Sequence, residues 1–207
     1  MKVLKSISVV ILTTIIFFAC KGDPKQAAET AETIIENAEK TQDKPTDTRT
    51  LAKRLKELKP VSDGALESWL PEQLTTMPRK KIEKGQPGFE PGSAVIGYYE
   101  SGRGSDWSQI QIHVLDGAGQ TFSPKVIAQI KMHDLEFNED INGDSNRTVM
   151  YKGLKVHQTY NKEIGSSNLQ FIIDQRFSVR ITAINPALET VWNEIEVLDF
   201  DALKNLK

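Results

Sequence analysis

The sequence predicts an α+β protein, with an antiparallel sheet of about five to six strands, helices packed on one face, and a disordered or helical tether in front. Three observations support this prediction. From residue 94 onward, apolar residues mostly alternate with polar ones, as in half-buried strands. The turns between these segments are too short for parallel crossovers. Two segments, 124–133 and 187–197, carry apolar residues at helical spacing instead.

The charge balance and the cysteine count limit the kinds of partner and site that the protein can have. The 207 residues include 26 Lys and Arg against 28 Asp and Glu, a net charge of −2. Removal of Lys2 and Lys5 with an N-terminal signal would leave 24 basic side chains against 28 acidic ones, a net charge of −4. Such a chain lacks the basic footprint of nucleic-acid-binding proteins, so we expect no nucleic-acid partner. Cys20 is the sole cysteine, which excludes an internal disulfide and a thiolate metal site.

The first twenty residues predict export. Lys2 and Lys5 precede an apolar run, 7–18, that is shorter than the ~20 residues of a membrane-spanning helix. A charged start, a short apolar middle and a small residue at the cleavage site are typical of a secretory signal, here 1–19. The alternative that stays open is ordinary secretion with an unmodified cysteine.

Phe17-Phe18-Ala19-Cys20 resembles the lipobox of bacterial lipoproteins, although Phe17 stands where that family usually has Leu or a similar aliphatic residue. The resemblance implies that Cys20 becomes the mature N-terminus and carries diacylglycerol with acyl chains such as palmitate. It therefore implies a membrane partner, reached through the lipid on Cys20. Lys21 differs from the Asp that resembles an inner-membrane retention signal. We therefore expect an outer membrane location, facing the periplasm or the cell surface, rather than the inner membrane.

Residues 20–50 are predicted to be a flexible tether. Within 26–40, five residues lie along one stripe of a helix: Ala27, Ala31, Ile34, Ile35 and Ala38. This helix is either a partner-binding or coiled-coil segment or a fluctuating spacer, because so short a helix is marginal in isolation. Residues 41–50 are polar linker. We expect a single α+β domain at 51–207, with its core in about 60–207.

The start of the domain is predicted to be helical. Leu51, Leu55 and Leu58 form a short helical stripe that stops at Pro60, and Asp63 is placed to cap the next helix. Trp69 is interpreted as a core residue, with a binding aromatic as the alternative. The basic run at 79–84 is interpreted as a solvated loop, or alternatively as a contact with anionic lipid head groups. Residues 85–92 are rich in Gly and Pro and predict an irregular loop.

The remaining elements are predicted in order. Residues 94–99 and 107–115 form an antiparallel hairpin, and a helix begins at Pro124 and ends near His133. Two further hairpins pair 148–151 with 154–160 and 169–173 with 176–184. A final helix occupies about 187–197, and a terminal turn at 199–206 docks three apolar residues onto the core: Phe200, Leu203 and Leu206.

The C-terminal half carries a second resemblance. The segment Gly153-Leu154-Lys155-Val156, the strand 169–173, the stretch 174–179 and the closing run 198–203 follow one another in a characteristic order. This order resembles small α+β lipoprotein domains of bacterial envelopes. That family brings no activity with it, so the resemblance implies only fold and location.

One stretch resembles a calcium loop. Asn138, Asp140, Asn142 and Asp144 place oxygen-bearing side chains at alternate positions around Gly143. The match is incomplete because position one is Asn138 rather than Asp, and position twelve is Val149 where a bidentate Glu is needed. We therefore predict a polar loop between helix and strand and no metal, with calcium binding as the alternative.

No catalytic motif is present. His113, His133 and His157 lack the spacing of zinc ligands, and neither Gly-x-Ser-x-Gly nor Ser-x-x-Lys occurs. The sequence therefore favours a non-enzymatic binding or interaction module without a cofactor. Its partner would be an envelope protein or a small molecule, contacting a sheet face or the loops 85–92 and 138–146. The alternatives are an envelope hydrolase with a site assembled by the fold, and a passive structural lipoprotein.

Overall fold

The computed structural model of the protein describes residues 47–85 and 93–206, all within the compact unit Pro45–Lys207. The predicted signal peptide, Cys20 and the helix at 26–40 lie outside the described residues, as does the loop 86–92. In the described part, no helix combines the length and the apolar character that crossing a bilayer requires.

The described residues form five α-helices and eight strands. The helices are α1 (Thr48–Glu57), α2 (Asp63–Trp69), α3 (Gly119–His133), α4 (Leu188–Glu194) and α5 (Phe200–Lys204). The strands are β1 (Arg79–Lys84), β2 (Ala94–Ser101), β3 (Ser108–Asp116), β4 (Asn138–Ile141), β5 (Asp144–Tyr151), β6 (Leu154–Asn161), β7 (Ser166–Ile173) and β8 (Phe177–Ile184).

The strands make one antiparallel sheet in the order β1-β2-β3-β8-β7-β6-β5-β4. The predicted α+β class and antiparallel pairing are confirmed, but the sheet has eight strands rather than five to six. The two additional strands are its edges. Strand β1 occupies the basic run that was predicted to be a solvated loop, and β4 occupies the start of the predicted polar loop.

Helices pack on both faces of the sheet, so the prediction of one helical face is wrong. The core face carries alternate residues of the central strands, such as Ile112, Phe171 and Ile181, and buries them under α2, α4 and α5. On the opposite face, Ala94 and Leu115 pack against α3, which α1 covers in turn. Successive side chains of a strand point to opposite faces, which is how one strand serves both layers.

Helix α3 begins at Gly119, earlier than the predicted start at Pro124. The Gly117-Ala118-Gly119 stretch has the composition of a turn. It leads into a helix here because the Asp116 carboxylate accepts a hydrogen bond from the Ala118 amide, at 2.9 Å, at the position before the helix. Phe122 in the added first turns is buried against the second core cluster. The packing of Phe122 therefore stabilises a turn of helix that the sequence pattern does not indicate.

The two ends of the described region follow the predictions more closely. Leu51 and Leu55 are the buried stripe of α1, and Phe200 and Leu203 are buried in the core. Trp69 packs beside Phe200, with ring centroids 6.1 Å apart, and its Nε1 donates to the Asp199 carbonyl. Trp69 is half-buried and packs against the margin of the core, which agrees in part with its interpretation as a core residue. Ser62, rather than the predicted Asp63, is the residue that caps α2.

Candidate functional site: the cleft between helix α3 and the sheet

A cleft of about 500 Å³ lies between α3 and the face of the sheet opposite the main core. We name it the α3 cleft. Its roof consists of five residues on one side of the helix: Lys125, Ala128, Gln129, Met132 and His133. Its floor consists of five residues from three strands: His157, Thr159, Asn168, Gln170 and Arg180. A recess of about 40 Å³ shares Lys125, Gln129 and Arg180 with the cleft and reaches His113.

One continuous row of polar side chains crosses four strands on this face of the sheet, from the recess to the floor of the cleft. His113 pairs with Arg180, Arg180 with Gln170, and Gln170 with His157 in the sheet register. Directly paired residues of antiparallel strands share a face, so these four side chains lie side by side. At about 4.8 Å between strands, the row spans roughly 14 Å. We name it the His–Arg–Gln–His row.

A second polar row runs alongside the first, farther from the apolar base of the helix. It consists of cross-strand neighbours from five strands: Gln111, Thr182, Asn168, Thr159 and Asn146. The Thr182 hydroxyl donates to Asn168 Oδ1 at 2.9 Å. The sheet face therefore has an apolar end beneath α3 and an open end lined by amides, hydroxyls and imidazoles. Such a division is typical of a face that binds a polar ligand rather than a core.

Hydrogen bonds fix the side chains of the His–Arg–Gln–His row. Gln170 Nε2 donates to Ser178 Oγ at 2.9 Å, and His157 Nε2 lies 2.7 Å from Asn146 Oδ1. The His157 ring also stacks on Phe137, with centroids 4.4 Å apart. On the roof, Gln129 Oε1 is buried and has no hydrogen-bond partner within the described residues. This acceptor is thus left for a ligand that enters the top of the cleft.

The electrostatics of the cleft are those of a positively charged site with neutral histidines. Burial lowers the pKa of His113 to about 4, with the nearby charges of Arg180 and Lys125 acting in the same direction. Burial also lowers the pKa of His133 and of His157. All three imidazoles are consequently neutral at pH 7. Burial and the charge of Arg180 lower the pKa of Lys125 as well.

A buried ion pair holds the roof in place relative to the floor. Arg176, just before β8, donates from Nε and Nη2 to the two carboxylate oxygens of Asp116, each at 2.8 Å. The same carboxylate accepts from the amides of Ala118, at the start of α3, and of Val61, ahead of α2. One carboxylate therefore ties together the strand ends and the helix start that border the cleft.

The predicted calcium loop is a β-hairpin. Asn142 and Gly143 are the two turn residues between β4 and β5, with φ of 55° and 94°. Both values are positive, which is typical of a two-residue type I′ turn. Asp140 pairs with Arg147, whereas Asp144 accepts from the Lys162 amide at 2.8 Å. Asp140 and Asp144 therefore bind separate partners, and Asn138 and Asn142 belong to the same strand pair and its turn. The prediction of a loop between helix and strand is wrong.

The structure brings the three histidines to one region, although not into a metal site. His133 and His157 both line the α3 cleft, and His113 lines the adjoining recess. Across the described residues, no group of three His, Cys, Asp or Glu side chains is arranged as metal ligands. The loop at 138–146, predicted as one contact region, lies outside the residues that line the cleft; Cys20 and 86–92 are not among the described residues.

Sequence reasoning missed Arg180 and the amide rows. Each residue of the His–Arg–Gln–His row is next to an apolar core residue in its strand. The alternation therefore indicated that these polar residues face away from the core, but not that they lie side by side. Gln109, Gln111 and His113 alternate with the core residues of β3, but no local pattern indicates that β8 pairs with β3.

Comparisons with protein-family models, with curated proteins and with solved structures find no match for this chain.

Proposed function

We propose that the protein is a lipid-anchored module of the bacterial cell envelope that binds a small polar molecule in the α3 cleft and catalyses no reaction on it. The observation that carries the binding proposal is the His–Arg–Gln–His row, which lies open beneath α3 and is bordered by the amide and hydroxyl groups of the second row. A volume of about 500 Å³ falls in the range of small-molecule sites.

The polarity of the cleft supports a binding role over a structural one. A sheet face that only stabilised the fold would be covered by apolar residues, because burying unpaired polar groups costs free energy. In the α3 cleft, the buried Oε1 of Gln129 is instead left without a partner among the described residues. A ligand that donated a hydrogen bond would satisfy it. Among the described residues that line the cleft, there are no paired carboxylates and no His–carboxylate pair, the arrangements that would favour a hydrolase.

The anchor part of the proposal rests on the lipobox-like tetrad at 17–20 and on the apolar run before it. Two acyl chains would hold the module stably at a membrane, whereas one chain alone would give reversible attachment. The location that we propose is the outer membrane, facing the periplasm or the cell surface. The segment before α1 would tether the folded domain to the membrane, and the domain would encounter its ligand near the membrane surface.

The anchor is tested by metabolic labelling with an alkyne analogue of palmitate. We expect the wild-type protein to be labelled and the Cys20→Ser variant to lose the label, because Cys20 is the sole cysteine and the proposed lipid attachment site. Labelling is the readout, since an unprocessed signal would keep the variant at the membrane. An unlabelled wild-type protein would contradict the anchor.

The binding site is tested by filling the cleft. Ala128 lies exposed on the roof, so Ala128→Trp places an indole in the cleft, whereas Ala202→Trp makes the same change on exposed α5 outside the cleft lining. Saturation-transfer NMR with glucose, glucuronate, glucose 6-phosphate and free amino acids, on the full-length protein in detergent, should detect at least one binder. We expect A128W to abolish that signal and A202W to leave it unchanged. Equal signals from both variants would overturn the cleft as the site.

A further inference from the structure

Arg180 is the charged residue of the floor of the α3 cleft, at the side where the cleft joins the recess. It lies on β8, one of the two middle strands of the sheet, between His113 on β3 and Gln170 on β7. Its side chain is exposed to the cleft. Among the described residues, no carboxylate forms an ion pair with Arg180, whereas Arg147 pairs with Asp140 and Arg176 with Asp116.

The described lining of the cleft contains basic side chains and no carboxylate. Lys125 on the roof adds to the charge of Arg180, and none of the ten described residues that line the cleft is Asp or Glu. Outside the cleft lining, the charge of Glu83 favours protonation of His113 less strongly than burial, Arg180 and Lys125 oppose it, and the Glu83 carboxylate accepts from Tyr98 and pairs with Lys81. The charge of Asp134 likewise raises the pKa of His133 against the larger effect of burial. A guanidinium in such surroundings presents a planar fork of donors that fits a carboxylate or phosphate group.

The neutral groups around Arg180 offer both donors and acceptors. Asn168 uses its Oδ1 to accept from Thr182, which leaves its amide nitrogen to donate. Gln170 uses its Nε2 to donate to Ser178, which leaves its Oε1 to accept. Gln129 Oε1 on the roof is a further buried acceptor without a partner in the described residues. Hydroxyl groups, which donate and accept at one atom, match this mixture better than purely donating or purely accepting ligands.

From these contacts we infer that the α3 cleft binds a hydroxylated anion of monosaccharide size, such as a sugar acid or a sugar phosphate, with the anionic group on Arg180 and the hydroxyls on Asn168, Gln170 and Gln129. This inference rests on the proposed binding function and adds the ligand class to it. A carboxylate and a phosphate share the chemistry that Arg180 recognises, and the experiment separates them.

The experiment is isothermal titration of the full-length protein in detergent with three probes of one scaffold: glucuronate, glucose 6-phosphate and glucose. We expect an anionic probe to bind at least tenfold more tightly than glucose. Arg180→Gln should remove that preference, and Arg180→Lys should recover part of it, because lysine keeps the charge but not the planar fork. Arg103→Gln is the matched control, since it removes an equal charge from an exposed turn residue and should leave the affinity unchanged.

The outcomes separate this inference from the proposed function. A preference for glucuronate supports a carboxylate ligand, and a preference for glucose 6-phosphate supports a phosphate ligand. Binding of glucose as tight as that of the anions, blocked by A128W, overturns the anion inference and leaves the binding module standing. Equal anion affinity of wild type and R180Q, with both proteins folded by circular dichroism, also overturns it. Absence of binding by every probe in both experiments overturns both proposals.

Discussion

Asp116 and Arg176, which are 60 positions apart in sequence, form a two-point ion pair at the junction of the sheet and helix α3. The Asp116 side chain is completely buried and that of Arg176 is 14% exposed. The pair also orders the backbone, since the carboxylate accepts from Val61 and Ala118 and Arg176 donates to the Lys59 carbonyl. It therefore fixes the start of α3 to the end of β3, to the β7–β8 turn and to the segment before α2.

Replacement of Asp116 by Asn should lower the free energy of unfolding by about 3 kcal/mol, because breaking a buried ion pair leaves the other charge without its partner. Urea denaturation followed by circular dichroism measures the change. Asp140→Asn is the matched control, since its partner Arg147 is largely exposed and such pairs contribute about 1 kcal/mol or less. Equal losses in the two variants would contradict the structural role of Asp116.

Gly117 lies where β3, the β7–β8 turn and α3 meet closely. A Cβ atom at this position would lie 2.7 Å from the Arg176 carbonyl oxygen and 2.9 Å from Val126 Cβ. Gly117→Ala should therefore destabilise the protein by about 1–3 kcal/mol, as overpacking of a core does. The thermal unfolding midpoint of the variant measures the loss.

Gly64→Ala is the control for that substitution. Gly64 lies within α2, where a Cβ meets only Ser62 Oγ at 3.9 Å. Alanine forms helix better than glycine, so Gly64→Ala should raise stability by about 0.5–1 kcal/mol. A stabilising effect of Gly117→Ala would contradict the close contacts that a Cβ atom at position 117 makes with Arg176 and Val126.

Stability should fall as the pH drops from about 6.5 toward 4. In this window the unfolded chain protonates His113, whose folded-state pKa is about 4, and the folded protein does not. Arg180 on β8 and Lys125 on α3 oppose protonation of His113, and Glu83 on β1 favours it less strongly. The loss attributable to His113 is at most about 3 kcal/mol. His133 and His157, whose pKa values are also lowered, add in the same direction.

The variant His113→Gln isolates this effect, because carboxylates titrate equally in both proteins. We expect urea midpoints of wild type and variant to diverge between pH 7 and pH 4.5, with the wild type losing more stability. Parallel curves across that range would show that His113 titrates as an ordinary exposed histidine.

Anion binding in the α3 cleft should strengthen at lower pH. An anion on Arg180 offsets the positive field that lowers the pKa of its cross-strand neighbour His113, so the complex takes up a proton more readily than the free protein. Titrations of glucuronate at pH 7.5 and pH 4.5 should give a higher affinity at pH 4.5, close to the pKa of His113 of about 4, with a smaller difference in His113→Gln. A pH-independent affinity would place the anion away from His113.

The sequence pattern predicted the central strands and failed at the edges for a physical reason. Strands β3, β7 and β8 largely alternate because one side of each enters the main core. Strand β1 has Ile82 as its one apolar residue, and all four residues of β4 are exposed. Edge strands rich in charge resist pairing with other chains, and the same charges remove the alternation that identifies a strand.

The candidate site was less predictable than the fold. His113 and His157 were recognised as strand residues that could approach each other, but two strands and Arg180 lie between them in the sheet. Their positions depend on the pairing of β3 with β8, which no local signal specifies. The beginning of α3 was likewise hidden, because its stabilisation comes from Asp116 and Phe122 contacts rather than from helix-forming residues.

The sheet consists of two meanders, β1–β2–β3 and β4 to β8, in which each strand pairs with the next one in sequence. Among the described strands, the pairing of β3 with β8 is the single contact that joins them. His113 belongs to one meander and Arg180 to the other. The recess that both residues line therefore exists only after this junction closes, which is the costly long-range step of assembly. A molecule bound there would contact both meanders and stabilise their pairing. We expect its presence to slow amide hydrogen exchange along β3 and β8 more than at the outer edge β4.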